Sequence, residues 1–283
     1  MKGRRRYTVV GYMAVCLSVA MPAGAGTLKC PADSVKVGTA CIDTYEASVW
    51  QIAPTNTKLV KKVQDGTATL ADLTKGGATQ LAPAATCSGP GDYGANFPAS
   101  GNWTPIPGSN PPSPGVYAVS IPGVLPTACI TWLQANQACL LSGKRLITNR
   151  EWQGAAAGTP DPGTDNGTTD CNISAAGAPV DTGSRSSCKS SWGVFDMVGN
   201  VSEWVADWVD RNEGCTDWTS QTGIAGGDLS CFGGNGSGAF NQIPGVMNRG
   251  GFFVQGTGAG VFEVEAGNDP STSFLRFGFR CAR

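Results

Sequence analysis

Ten cysteines follow residue 25 of this 283-residue chain: Cys30, Cys41, Cys87, Cys129, Cys139, Cys171, Cys188, Cys215, Cys231 and Cys281. The count is even, no two are spaced as CxxC, and the chain has no histidine at all. Such a set reads as a disulfide framework rather than a zinc ribbon or a dithiol redox site. Cys30 with Cys41, Cys171 with Cys188, and Cys215 with Cys231 each bracket a loop rich in Gly, Ser or Asp, where a cross-link removes loop entropy that a weak core struggles to offset. Cys87, Cys129, Cys139 and Cys281 complete the set, with their partners open. A cross-linked chain can afford irregularity, and this one has it: 40 Gly, 18 Pro and only 14% charged residues predict a loop-rich protein with few long helices.

The first 25 residues read as an address. Basic MKGRRR precedes apolar YTVVGYMAVCLSVAM, which holds the eleventh cysteine, Cys16, and then small-residue PAGA. This is the pattern of a secretory signal peptide, with cleavage expected after Ala25. Arg4, Arg5, Arg6 and Tyr7 loosely match twin-arginine export, and a generic basic start accounts for them equally well. The apolar run is too short for a comfortable membrane span and none follows. The mature chain, 26–283, is therefore expected to be secreted or periplasmic, with no membrane span. A net charge of −1 leaves no basic surface for nucleic acid. Without imidazole, Ser/His/Asp and Cys/His nucleophiles, three-histidine zinc and facial-triad iron are excluded.

Along the mature chain, SVKVGTACIDTYEASVW predicts a hairpin turning at Gly38 and Thr39. From about 51 to 125 the Thr, Ala, Gly, Pro and Ser texture predicts mostly surface loop. The first helix is expected at Thr131, with a capping box to Gln134 and a stop at Gly143. A second is expected at Thr148, with a capping box to Glu151, running to Gly158. Strand-like MNRGGFFV and FLRFGFRCAR close the chain.

Four segments in order, ITWLQANQACLLSGKRLITNREWQGAAAG, WGVFDMVGNVSEWVADW, NRGGFF and FGFRCA, resemble the signature of the formylglycine-generating enzyme (sulfatase-modifying factor) family, and CIDTYEAS resembles its first strand. The match covers most of 28–50 and 116–283 and leaves 51–115 as a poorly matched, loop-rich insertion. The resemblance implies an α+β fold: one compact C-type-lectin-like domain over 26–283, with short strands and two short helices. It also implies a disulfide between Cys139 and Cys281.

Formylglycine generators hold copper(I) on two cysteines shortly after the RGG strand, and soft thiolates suit that ion. With Arg249, Gly250 and Gly251 as that strand, the two positions fall on Gln255 and Gly260, and Phe252 replaces the family serine. Copper is therefore not expected. The same resemblance implies a structural calcium site in DMVGNVSE, with side-chain ligands Asp196 and Glu203 and carbonyls of Gly199 and Val201, hard donors that suit calcium. Of a second calcium site only Asn172 and Ile173 remain, and none is expected there.

Other polar residues have blander readings. Glu263 and Glu265, two apart, share one strand face and are expected to be solvated. Lys144 and Arg145 are expected to orient the turn between the helices, and Arg280 to join a buried hydrogen-bonded network. Trp152, Trp192, Trp204 and Trp208 are expected in the core, while Trp103 in the unmatched stretch is the first candidate for a peptide or sugar platform. The expected function is an exported binding or accessory module with a degenerate copper site and an unidentified peptide, protein or glycan ligand. The alternatives are an oxidoreductase of the same family using an unrecognised metal site, and a structural envelope protein.

Overall fold

The structure is a computed structural model and describes residues 28–103, 114–161, 164–209 and 245–283. The expected signal segment and both Cys215 and Cys231 lie outside the described residues. β1 (Ser34–Val37) and β2 (Ala40–Asp43) form the expected antiparallel hairpin. Its turn needs Gly38, which sits at φ +59°. β6 (Arg145–Leu146) and the C-terminal β11 (Cys281–Ala282) extend this hairpin into a sheet of order β1-β2-β11-β6. A second sheet holds β7 (Ser202–Val209), β8 (Gly245–Arg249), β9 (Val264–Asn268) and β10 (Phe277–Phe279) in the order β10-β7-β8-β9, with β10 parallel to β7. A third is centred on β3 (Ser48–Ile52), flanked by β4 (Thr79–Leu81) and β5 (Gly115–Val119).

The two expected helices are present. α3 (Trp132–Leu141) starts at a reciprocal capping box between Thr131 and Gln134. It ends in a Schellman motif: Gly143 N donates to Leu140 O and Lys144 N to Cys139 O, with Gly143 at φ +68°. α4 (Asn149–Ala155) repeats the box with Thr148 and Glu151 but ends at Ala155, with its cap on Ala156, rather than running to Gly158. Each box satisfies backbone donors that would otherwise be orphaned at a helix start.

The stretch expected to be surface loop is different. It carries α1 (Thr57–Gln64), capped by Asn56, and α2 (Leu70–Lys75), opened by a Thr69–Asp72 capping box. So α3 is the third helix, not the first. The physical reason is burial: Leu59, Val63 and Leu73 pack with Trp50, Ile52, Val119, Ile121 and Val124 into a core of their own against the third sheet.

Four disulfides stand among the described residues: Cys30–Cys41, Cys87–Cys129, Cys139–Cys281 and Cys171–Cys188. The Cys139–Cys281 bridge ties α3 to β11 inside a core built from Trp204, Phe277, Phe279, Ile130 and Leu146. A neighbouring core gathers Trp152, Met197, Met247 and Val264 beneath the second sheet. The result is a single α+β domain of short elements, with none among its described helices long and apolar enough to cross a membrane.

Candidate functional site

β8 ends at Arg249 and the chain reverses through Gly250 and Gly251, both at positive φ (+89° and +77°). A Cβ on Gly250 would lie 2.9 Å from Met197 O and 3.1 Å from the Trp152 ring; one on Gly251 would lie 2.6 Å from Ala259 Cα. Only glycine fits at either position. The loop that follows folds back on this turn: Gly260 N donates to Gly250 O, and Phe252 N donates to Gln255 Oε1.

Under this loop lies Glu263, 2% exposed. The Gln255 side chain and the Gly251 amide donate to its carboxyl group, and its Oε2 has no partner. Burial, and secondarily the neighbouring Glu265, pushes Glu263 up to about 8, so the group is a protonated acid at neutral pH. Beside it the Arg249 guanidinium lies 4.5 Å from the Trp152 ring and donates to Val261 O and Gln153 Oε1.

A second buried polar cluster sits at the junction of β7 and β10. Arg280 Nε donates to both oxygens of Glu203 at 3.0 and 2.9 Å, and Trp152 Nε1 donates to Glu203 Oε2 at 2.8 Å. The remaining guanidinium donors reach Asp43 O and Phe195 O. Glu46, equally buried, accepts from Asn200 Nδ2 and Val201 N. Asp196 accepts from Gly183 N. Burial raises Asp196 to about 7 and lifts Glu46 well above the usual carboxylate range, helped by repulsion within the cluster. Arg280 is the shared counter-charge of Glu203, Glu46 and Asp196, with the buried Arg185 also acting on Asp196, and protonation relieves the remaining surplus of negative charge.

With both clusters placed, comparison with known proteins is decisive at the level of family. A family profile described as "Sulfatase-modifying factor enzyme 1-like domain" matches residues 19–283. The chain belongs to this family. It is 28% identical over 203 residues to a formylglycine-generating enzyme of Thermomonospora curvata, an alignment covering 64% of this chain and 63% of that enzyme. A formylglycine-generating enzyme of Streptomyces coelicolor is 29% identical over 177 residues, covering 56% of this chain and 52% of that one. The chain therefore spans about half to three fifths of the length of these relatives. Among solved structures, PvdO from Pseudomonas aeruginosa matches with a TM-score of 0.37 and 17% identity, over 86% of this chain and 80% of that one. The Major Tropism Determinant U1 variant matches with a TM-score of 0.45 and 18% identity, over 89% and 52%.

In this sulfatase-modifying-factor domain the expected residues fall as follows. Gln255 and Gly260 both belong to the loop over Glu263. Neither supplies sulfur, and every cysteine among the described residues is in a disulfide. The amide, carboxyl and backbone groups present are hard donors, so they do not fit copper(I). The four residues expected to hold calcium lie on the Asp196–Glu203 segment, but both Glu203 oxygens are committed to Arg280 and Trp152. Among the described residues no three His, Cys, Asp or Glu side chains converge to hold a metal.

Glu263 is not on a solvated strand face as expected: it precedes β9 and turns inward beneath the glycine loop, while Glu265 stays partly exposed. Lys144 does more than orient a turn, since its buried ammonium lies 2.6 Å from Asp33 and 2.7 Å from Asp43. Arg145 pairs with Glu151 as a brace between β6 and α4. Trp152 and Trp204 are buried, whereas Trp192 and Trp208 are 48% and 42% exposed. Trp103 is not a free platform, for its Nε1 donates to Pro114 O and its ring packs on the core. Glu46 escaped sequence reasoning; its only signal was an acidic residue inside the CIDTYEAS segment.

Proposed function

We propose that the chain is an exported, disulfide-linked member of the sulfatase-modifying-factor family that has kept the scaffold and lost copper-dependent formylglycine formation, and that it works as a binding or accessory module. The observation that carries this reading is the loop from Gly250 to Glu263. Where the resemblance puts two thiolates, Gln255 spends its amide on Phe252 N and Glu263, and Gly260 has no side chain at all. Four disulfides and the basic-apolar-small pattern of residues 1–25 support export.

The test is a copper(I) titration and thiol count on the folded mature protein, followed by incubation with a cysteine-containing sulfatase peptide in air. The expected result is no tight copper uptake, no free thiol and no aldehyde on the peptide. Oxygen-dependent aldehyde formation would overturn the reading.

A further inference from the structure

Arg276 is a cation on an aromatic platform with its donors unspent. Its guanidinium lies 4.7 Å from the Phe274 ring centroid, 5.0 Å from Phe277 and 5.3 Å from Phe252. The side chain is partly exposed, and among the described residues no carboxylate or carbonyl lies within ion-pair or hydrogen-bond reach of it. Ring contacts hold a guanidinium in place yet use none of its five N–H donors. Beside it in the chain, Phe274 is 48% and Leu275 38% exposed, preceded by the exposed Ser271 and half-buried Thr272 and Ser273.

The tip is also rigid. Phe274 O accepts from Cys129 N and Phe277 N, and Arg276 O accepts from Ser202 N. Cys129 is itself bridged to Cys87. A platform fixed in this way loses little conformational freedom when it is covered.

We propose that this tip is a docking site for an acidic peptide segment of a partner protein, with a carboxylate forked onto Arg276 and a neighbouring apolar side chain laid on Phe274 and Leu275. The proposal deepens the binding-module reading above and rests on it. Charge complementarity selects the occupant. A planar guanidinium with free donors matches a carboxylate bidentately, and the flanking phenyl and leucyl surface asks for an apolar side chain next to that carboxylate. A lone cation does not make a membrane-binding patch, which draws on several basic residues.

The experiment is an NMR titration, to millimolar concentration, of the mature protein with two capped pentapeptides, one with a glutamate between leucines and its glutamine counterpart. Wild type is expected to bind the glutamate peptide about tenfold more tightly, because hydrogen bonds to a charged group are the strong ones, and added salt should narrow the gap. Arg276→Gln should erase the difference while melting like wild type. Phe274→Ala should weaken both peptides. Equal affinity for the two peptides, binding of neither, or a preference that survives Arg276→Gln would overturn the proposal. None of these results bears on the aldehyde assay, so failure here leaves the non-catalytic reading standing, and aldehyde formation would remove that reading without touching the peptide preference.

Discussion

Glu263 sits buried beneath a glycine turn, with one oxygen held by Gln255 and Gly251 and the other without a partner. Its value in the folded protein is raised to about 8 from an ordinary 4.5, so the folded state keeps a proton that the unfolded state releases. Stability from this group is complete below about pH 4.5 and falls as pH rises toward 8, by up to about 1.4 kcal/mol per pH unit. Glu263→Gln should therefore match wild type near pH 4.5 and melt at a higher temperature near pH 8, which a pair of melting-temperature profiles checks. Arg280 poses the opposite case. Replacing it with Met strands Glu203 in the core with Trp152 as its one remaining donor, and the expected loss is about 3–5 kcal/mol in a denaturant titration. Adding Glu203→Gln to that variant should recover part of the loss, since the stranded charge is then gone.

The helices owe their starts to local chemistry. Thr131 and Gln134 exchange side-chain and backbone hydrogen bonds at the head of α3, so Thr131→Ala is expected to cost about 1 kcal/mol of unfolding free energy. The same box, Thr69 with Asp72, opens α2, yet it lies in a stretch whose Thr, Ala and Gly texture reads as loop. What turns that stretch into structure is the face it buries. Leu73 is fully buried against the third sheet, and Leu73→Ala should cost about 2–5 kcal/mol, far more than any surface loop substitution. Helices of eight and six residues are too short to persist by propensity alone. They exist because β3 and β5 offer them an apolar floor, and a cap pattern cannot reveal a floor supplied by distant strands.

Across the molecule, long-range links hold short elements in place. The Cys139–Cys281 bridge spans 142 residues, and in the chain-entropy account removing it with Cys139→Ala and Cys281→Ala should cost about 4–5 kcal/mol of equilibrium stability. Lys144 joins Asp33 and Asp43, and Glu46 reaches Asn200 and Val201 more than 150 positions away. The amino-acid order alone was enough for the hairpin at Gly38, the capped starts of α3 and α4, the glycine stop of α3, the family, and the short-loop bridges Cys30–Cys41 and Cys171–Cys188. Each of these depends on residues close in the chain, on a motif, or on a loop short enough to close by itself. The burial of Glu263, the pairing of Glu203 with Arg280, the Cys87–Cys129 bridge and the helices of 57–75 were decided by tertiary structure. Their energies come from desolvation and from contacts between segments far apart in sequence, and such terms exist only once the chain has brought those segments together.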